Sequence, residues 1–123
     1  MSALQEKAAP SGTTPPFQSF EDFWPFYLGE HRHPVSRALH YCGTTAGTLT
    51  VLLALVGKHP LLVPLALLVG YGSAWIGHFV FEKNRPASFK HPLWSLRADY
   101  RMLRLFLTGR LDQEFRDVRK RSA

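Results

Sequence analysis

The chain has 123 residues, with fifteen Lys or Arg, nine acids and one cysteine; this leaves room for one domain and excludes an intrachain disulfide or a four-cysteine metal site. Apolar residues crowd between Tyr41 and Phe81, whereas from Lys83 to Arg121 eleven Lys or Arg face four acids. A basic segment joined to an apolar one fits an anionic lipid surface, and nucleic-acid binding is not expected.

Residues 1–16 are rich in Ala, Ser, Thr and Pro without an apolar run and read as a flexible N-terminal tail, not a cleavable signal. Folding is expected to begin at Phe17. Phe17, Phe20, Trp24 and Leu28 recur at helical intervals, with Ser19 as a cap and Pro25 as a break or kink. The aromatic density fits a helix lying at a membrane interface.

Two apolar spans follow, near 37–57 and 61–81, joined by the polar turn Lys58-His59-Pro60. Each is long enough to cross a bilayer as a helix. Gly43 and Gly47 either permit close helix contact inside a bilayer or merely tolerate bending. The hairpin's open end carries Arg32, Arg37, Lys83, Arg85 and Lys90, against Lys58 at the turn. The positive-inside tendency places both termini in the cytoplasm, in a bacterial inner membrane or the endoplasmic reticulum according to source.

Leu93, Leu96, Tyr100, Leu103 and Phe106 mark an amphipathic helix with Arg97, Arg101 and Arg104 on its other side, reaching toward headgroups, and Gly109 ends it. Asp99 shares that polar side, where it could pair with an arginine, ligate a metal or orient a histidine. Residues 110–123 read as a charged tail or a short final helix. The expected fold is therefore all-α: an integral membrane helical hairpin flanked by N- and C-terminal amphipathic helices, its metal-binding domain spanning 17–109.

His40 and His78 are each 19 residues from His59, so a hairpin folded about that turn brings both to one depth. Imidazole is a poor filler for a lipid-facing surface, and paired imidazoles hold metals. Glu82, one turn beyond His78, could ligate the same ion or orient a liganding ring. His31 would lie about 13 Å from His40 on a continuous helix, but Pro34 offers a break that lets it fold back over the hairpin mouth. His91, before Pro92, could close the site from the C-terminal side. Nitrogen and carboxylate donors suit Fe(II), zinc or manganese.

Tyr27-Leu28-Gly29-Glu30-His31, His40-Tyr41-Cys42-Gly43 and Trp75-Ile76-Gly77-His78-Phe79-Val80-Phe81-Glu82-Lys83-Asn84-Arg85-Pro86-Ala87 together resemble a family of small membrane proteins. Its best understood type is a fungal endoplasmic-reticulum 2-hydroxy fatty acid dioxygenase of phytosphingosine breakdown. The resemblance runs from about Phe20 to Met102. It implies an Fe(II)- and dioxygen-dependent enzyme that shortens a 2-hydroxy fatty acid by one carbon and releases carbon dioxide, with Arg37 or Arg85 near the hairpin mouth able to pair with the substrate carboxylate. The family's histidines map to His31, His40 and His78, with Glu82 in the same block; His91 matches the short prokaryotic-type members. The chain departs from the family at Ser36, commonly Asn, and is shorter than the fungal enzyme. The implied partners are a fatty acid or lipid substrate, dioxygen and membrane lipids, and a homo-oligomer is compatible. Two other readings stay open: a non-catalytic membrane scaffold with Gly43 and Gly47 on its partner surface, and a zinc-dependent lipid hydrolase.

Overall fold

Ser19 starts the first helix. Its hydroxyl accepts from the Asp22 N–H at 3.2 Å, satisfying one of the free donors of the first turn. The computed structural model describes residues 17–122, so the tail expected over 1–16 lies outside the described residues. Helix α1 runs Phe20–Gly29, α2 Pro34–Gly57 and α3 Leu62–Ile76. A π-helical turn, Gly77–Glu82, continues α3. A 3-10 turn over Ala87–Phe89 precedes α4, Pro92–Leu107, and α5, Leu111–Ser122, follows. No strand occurs among the described residues.

Pro25 lies inside α1 without ending it. The aromatic packing of that helix offsets the one backbone bond that a proline removes. Pro34 does end the preceding segment. It occupies the first turn of α2, where a missing N–H costs little, and the His33 ring caps the same helix by accepting from Val35 N–H at 3.1 Å. Both long helices, Pro34–Gly57 and Leu62–Glu82, are long and apolar enough to cross a membrane.

The pairing of α2 with α3 descends regularly: Ser36 meets Gly77, Gly43 meets Gly70 and Ser73, and Gly47 meets Ala66. The helices are therefore antiparallel. A Cβ on Gly43 would lie 2.9 Å from Ser73 Cβ, so only glycine permits this approach. Gly43 and Gly47 are thus spent inside the hairpin, which removes the partner surface that the scaffold reading assigned to them. Outside this seam the apolar side chains, among them Leu52, Leu53, Leu55, Val56, Leu67 and Leu68, are exposed.

At the open end of the hairpin α1, α4 and α5 form a cap with its own core. Phe23, Trp24, Tyr27 and Leu28 of α1 are buried with Ala98 and Met102 of α4 and Leu111 and Val118 of α5. The aromatic face of α1 is consequently a core face, not one laid on a lipid interface. Trp24 Nε1 donates to Glu114 at 2.6 Å, which docks the C-terminal segment as the helix α5, Leu111–Ser122, instead of a loose tail. Arg97 lies 4.0 Å above the Phe20 ring. Arg101 stacks 4.6 Å over Trp24 and pairs with Glu21 at 3.2 Å. Two of the arginines expected among headgroups therefore pin α1 to α4. Tyr41 stacked on Phe106 at 4.3 Å ties the cap to α2.

Candidate metal centre

Three local devices converge where the cap meets the hairpin. The chain leaves α1 with the His31 N–H bonded to the Leu28 carbonyl at 3.0 Å. Arg37 Nη1 then holds the carbonyls of His31 and Arg32 at 3.0 and 2.8 Å, so the loop folds back over α2. His40 projects from the second turn of α2. His78 sits in the π-helical turn, which is brought close because Gly77 lies against Ser36: an added Cβ would be 2.8 Å from Ser36 Oγ. π turns are rare and recur at functional positions.

The result is a buried group of His31, His40 and His78, whose candidate ligand atoms all lie within 4.8 Å of one another. Their exposures are 0, 3 and 2%. The rings stand nearly perpendicular, at 83°, 77° and 89°, with centroids 4.4 to 4.9 Å apart. The break at Pro34 thus does what it was expected to do, bringing His31 to His40.

The hydrogen bonds fix the tautomers. Each Nδ1 faces an oxygen: Tyr27 carbonyl at 2.5 Å for His31, Ser36 carbonyl at 2.8 Å for His40, and Asn84 Oδ1 at 2.7 Å for His78. A carbonyl can only accept, so each Nδ1 carries the proton. The Asn84 amide is oriented by its Nδ2, which donates to the Glu30 carbonyl at 3.1 Å. Every Nε2 is left with a lone pair. Those of His31 and His40 are 3.0 Å apart, which is repulsive between two lone pairs and is relieved by a cation that both can bind. Neutral imidazoles with Nδ1–H held by oxygen partners are the arrangement of histidine metal ligands. Burial, then the neighbouring His40 and His78, holds His31 well below its ordinary pKa, which keeps it in the neutral, ligating form. The donor set fits a first-row metal such as iron or zinc.

The other expected site residues fall elsewhere. Glu82 accepts from the backbone N–H groups of Arg32 and His33 at 3.2 and 2.9 Å, and the three-histidine group does not include it; the π turn alters the facing that α-helical spacing implied, and the carboxylate clamps the loop that carries His31. Asn84 takes the orienting role considered for Glu82. His91 stacks on Trp94 at 5.4 Å and meets the edges of Phe17 and Phe23, in the aromatic core and outside the group. Arg37 is committed to loop carbonyls, and Arg85 is exposed beside Pro86. Asp99 neither pairs with an arginine nor joins the histidines; it accepts a hydrogen bond from the Tyr27 hydroxyl. Burial raises Asp99 to about 7, and Tyr27 is raised by burial and then by Asp99.

A tight cleft opens on the histidines, lined also by Tyr27, Tyr71, Ser95 and Asp99. It holds about 10 Å³, the space of roughly one water. A family model described as 2-hydroxy-palmitic acid dioxygenase Mpo1-like matches residues 17–111. The chain belongs to the Mpo1-like family. The match takes in the hairpin, the loop carrying His31 and the whole of α4, so all three histidines of this Mpo1-like chain lie inside it. No curated protein and no solved structure matches it.

Asn84 and Tyr27 were missed as site residues. Asn84 had one sequence signal, an amide six residues after His78 at the turn before Arg85-Pro86. The carbonyls of Tyr27 and Ser36 had none, because any residue supplies a carbonyl.

Proposed function

We propose that this Mpo1-like chain is a membrane-embedded, non-heme Fe(II) dioxygenase that cleaves a 2-hydroxy fatty acid to the acid one carbon shorter. The observation that carries the reading is the convergence of three buried imidazoles, their candidate ligand atoms within 4.8 Å of one another, whose Nδ1 protons are all committed to oxygen acceptors. The overall change balances without a reductant: a 2-hydroxy acid and dioxygen give the shorter acid, carbon dioxide and water. His31, His40 and His78 would hold the iron, which supplies the dioxygen chemistry that breaks the C1–C2 bond. The protein's own part is positional. Tyr27, Ser36 and Asn84 fix the three rings, Glu82 and Arg37 fix the loop carrying His31, and the buried cleft limits water to about one molecule.

Exposed leucines on α2 and α3 support placing the hairpin in lipid, with the acyl chain held along its apolar surface. The excess of Arg and Lys at the open end favours both termini in the cytoplasm.

The test is anaerobic purification with metal quantification, followed by oxygen-dependent turnover of 2-hydroxypalmitate. One iron per chain and release of pentadecanoate only with oxygen are expected. Stoichiometric zinc with oxygen-independent hydrolysis would move the assignment to a lipid hydrolase. Absence of bound metal, with behaviour unchanged by His40→Ala plus His78→Ala, would leave a scaffold.

A further inference from the structure

The cleft has a second polar wall that the metal centre does not use. Ser95 and Asp99 are four residues apart on α4 and so share one face, and both line the cleft together with His31, His40 and His78. Ser95 is only 5% exposed, and its Oγ is buried with no hydrogen-bond partner. Burying a hydroxyl without a partner is costly. Asp99 is held in place by the Tyr27 hydroxyl. The cleft's lining thus includes a hydroxyl donor and a carboxyl acceptor one helical turn apart, beside a space of about one water molecule.

A substrate hydroxyl is also water-sized, and it accepts one hydrogen bond while donating another. We propose that Ser95 and Asp99 recognise the α-hydroxyl of the substrate, Ser95 donating a hydrogen bond to its oxygen and Asp99 accepting one from its O–H. The pair makes the site selective for 2-hydroxy acids over unsubstituted fatty acids. This rests on the dioxygenase reading and deepens it by assigning the group that reads the substrate. Selectivity follows because an acid lacking the hydroxyl leaves the buried Ser95 hydroxyl without a partner; sites built to bind a hydroxyl reject analogues without it far more strongly than apolar pockets reject a missing methylene.

The test uses the full chain in detergent, free of metal, and reads displacement of a bound fluorescent fatty acid by 2-hydroxypalmitate, palmitate or 2-oxopalmitate. Wild type is expected to prefer the hydroxy acid to palmitate. Ser95→Ala should lower that preference about fivefold and Asp99→Asn about tenfold, from the usual strengths of neutral and charged hydrogen bonds. Because an amide donates where a carboxylate cannot, Asp99→Asn should also shift binding toward the 2-oxo acid. Ser95→Thr, which restores the hydroxyl, should recover much of the loss, an outcome that a purely structural role does not produce. Because Ser95 Oγ lacks a partner, Ser95→Ala should fold with undiminished stability, so this arm remains informative where Asp99→Asn does not fold. A preference carried by Ser95 and Asp99 supports the inference whether or not the iron-loaded protein consumes oxygen. Equal affinity of wild type for hydroxypalmitate and palmitate, or a preference unchanged by Ser95→Ala, overturns it even where oxygen-dependent cleavage is observed.

Discussion

The hairpin and the cap hold themselves together by opposite means. Between α2 and α3 the seam is made of Gly43, Gly47, Ala66 and Gly70, and the large side chains point outward. In the cap the large side chains of α1 point inward: Phe23, Trp24 and Tyr27 are essentially unexposed, while α4 leaves Leu93, Phe106 and Leu107 exposed, and arginines stack over the aromatic rings. The hairpin suits a solvent as apolar as leucine, where close backbone approach supplies the contact. The histidines sit at the boundary, where the cap contributes His31 and the hairpin contributes His40 and His78. The proposed metal centre therefore depends on both regions keeping their register.

The sharpest way to break that register is to remove a ring. His78→Ala should lower iron affinity more than a hundredfold, and His59→Ala, at the far turn, should leave it unchanged; metal content after dialysis checks both. Equal retention in the two variants would reject the assignment. Next, Trp24→Ala should cost about 3–5 kcal/mol of cap stability as a buried aromatic, whereas Leu53→Ala, on the exposed face of α2, should cost under about 0.5 kcal/mol. Thermal unfolding in detergent compares them, and similar losses would show that the two regions do not differ as described. Asn84→Ala keeps all three rings but frees His78, and should weaken iron binding about 10–100-fold, read by competition with a chelator.

The smallest effect concerns pH. Asp99 has an ordinary value of 3.8 and is raised to about 7 by burial. Its proton is held more tightly in the folded chain than in the unfolded one. The stability that this contributes is present in full below 3.8 and is lost as pH rises through about 7. Asp99→Asn removes that loss, so its Tm relative to wild type should rise by a few degrees between about pH 5 and pH 8. A difference that stays flat would contradict the burial of the carboxyl.

The architecture was legible because its signals are periodic or local. The apolar runs and the Lys58-His59-Pro60 turn located the hairpin, and counting residues from His59 placed His40 beside His78. Pro34 gave the break for His31, and Ser19 the cap of α1. The aromatic face of α1 misled because an interface helix and a core helix share one pattern, and only the docking of α4 and α5 separates them. Glu82 misled for a different reason. Spacing four residues from His78 assumes α-helical turns, and the π turn across Gly77–Glu82 has no signature in composition. The groups that orient the histidines include two backbone carbonyls, which sequence does not mark.

X-ray absorption on the anaerobically iron-loaded protein counts the imidazoles bound to the metal. Three histidine nitrogens on one iron in wild type, falling to two in His31→Ala, is the expected result. One imidazole or none in wild type, or a count unchanged by His31→Ala, would contradict a centre shared between cap and hairpin.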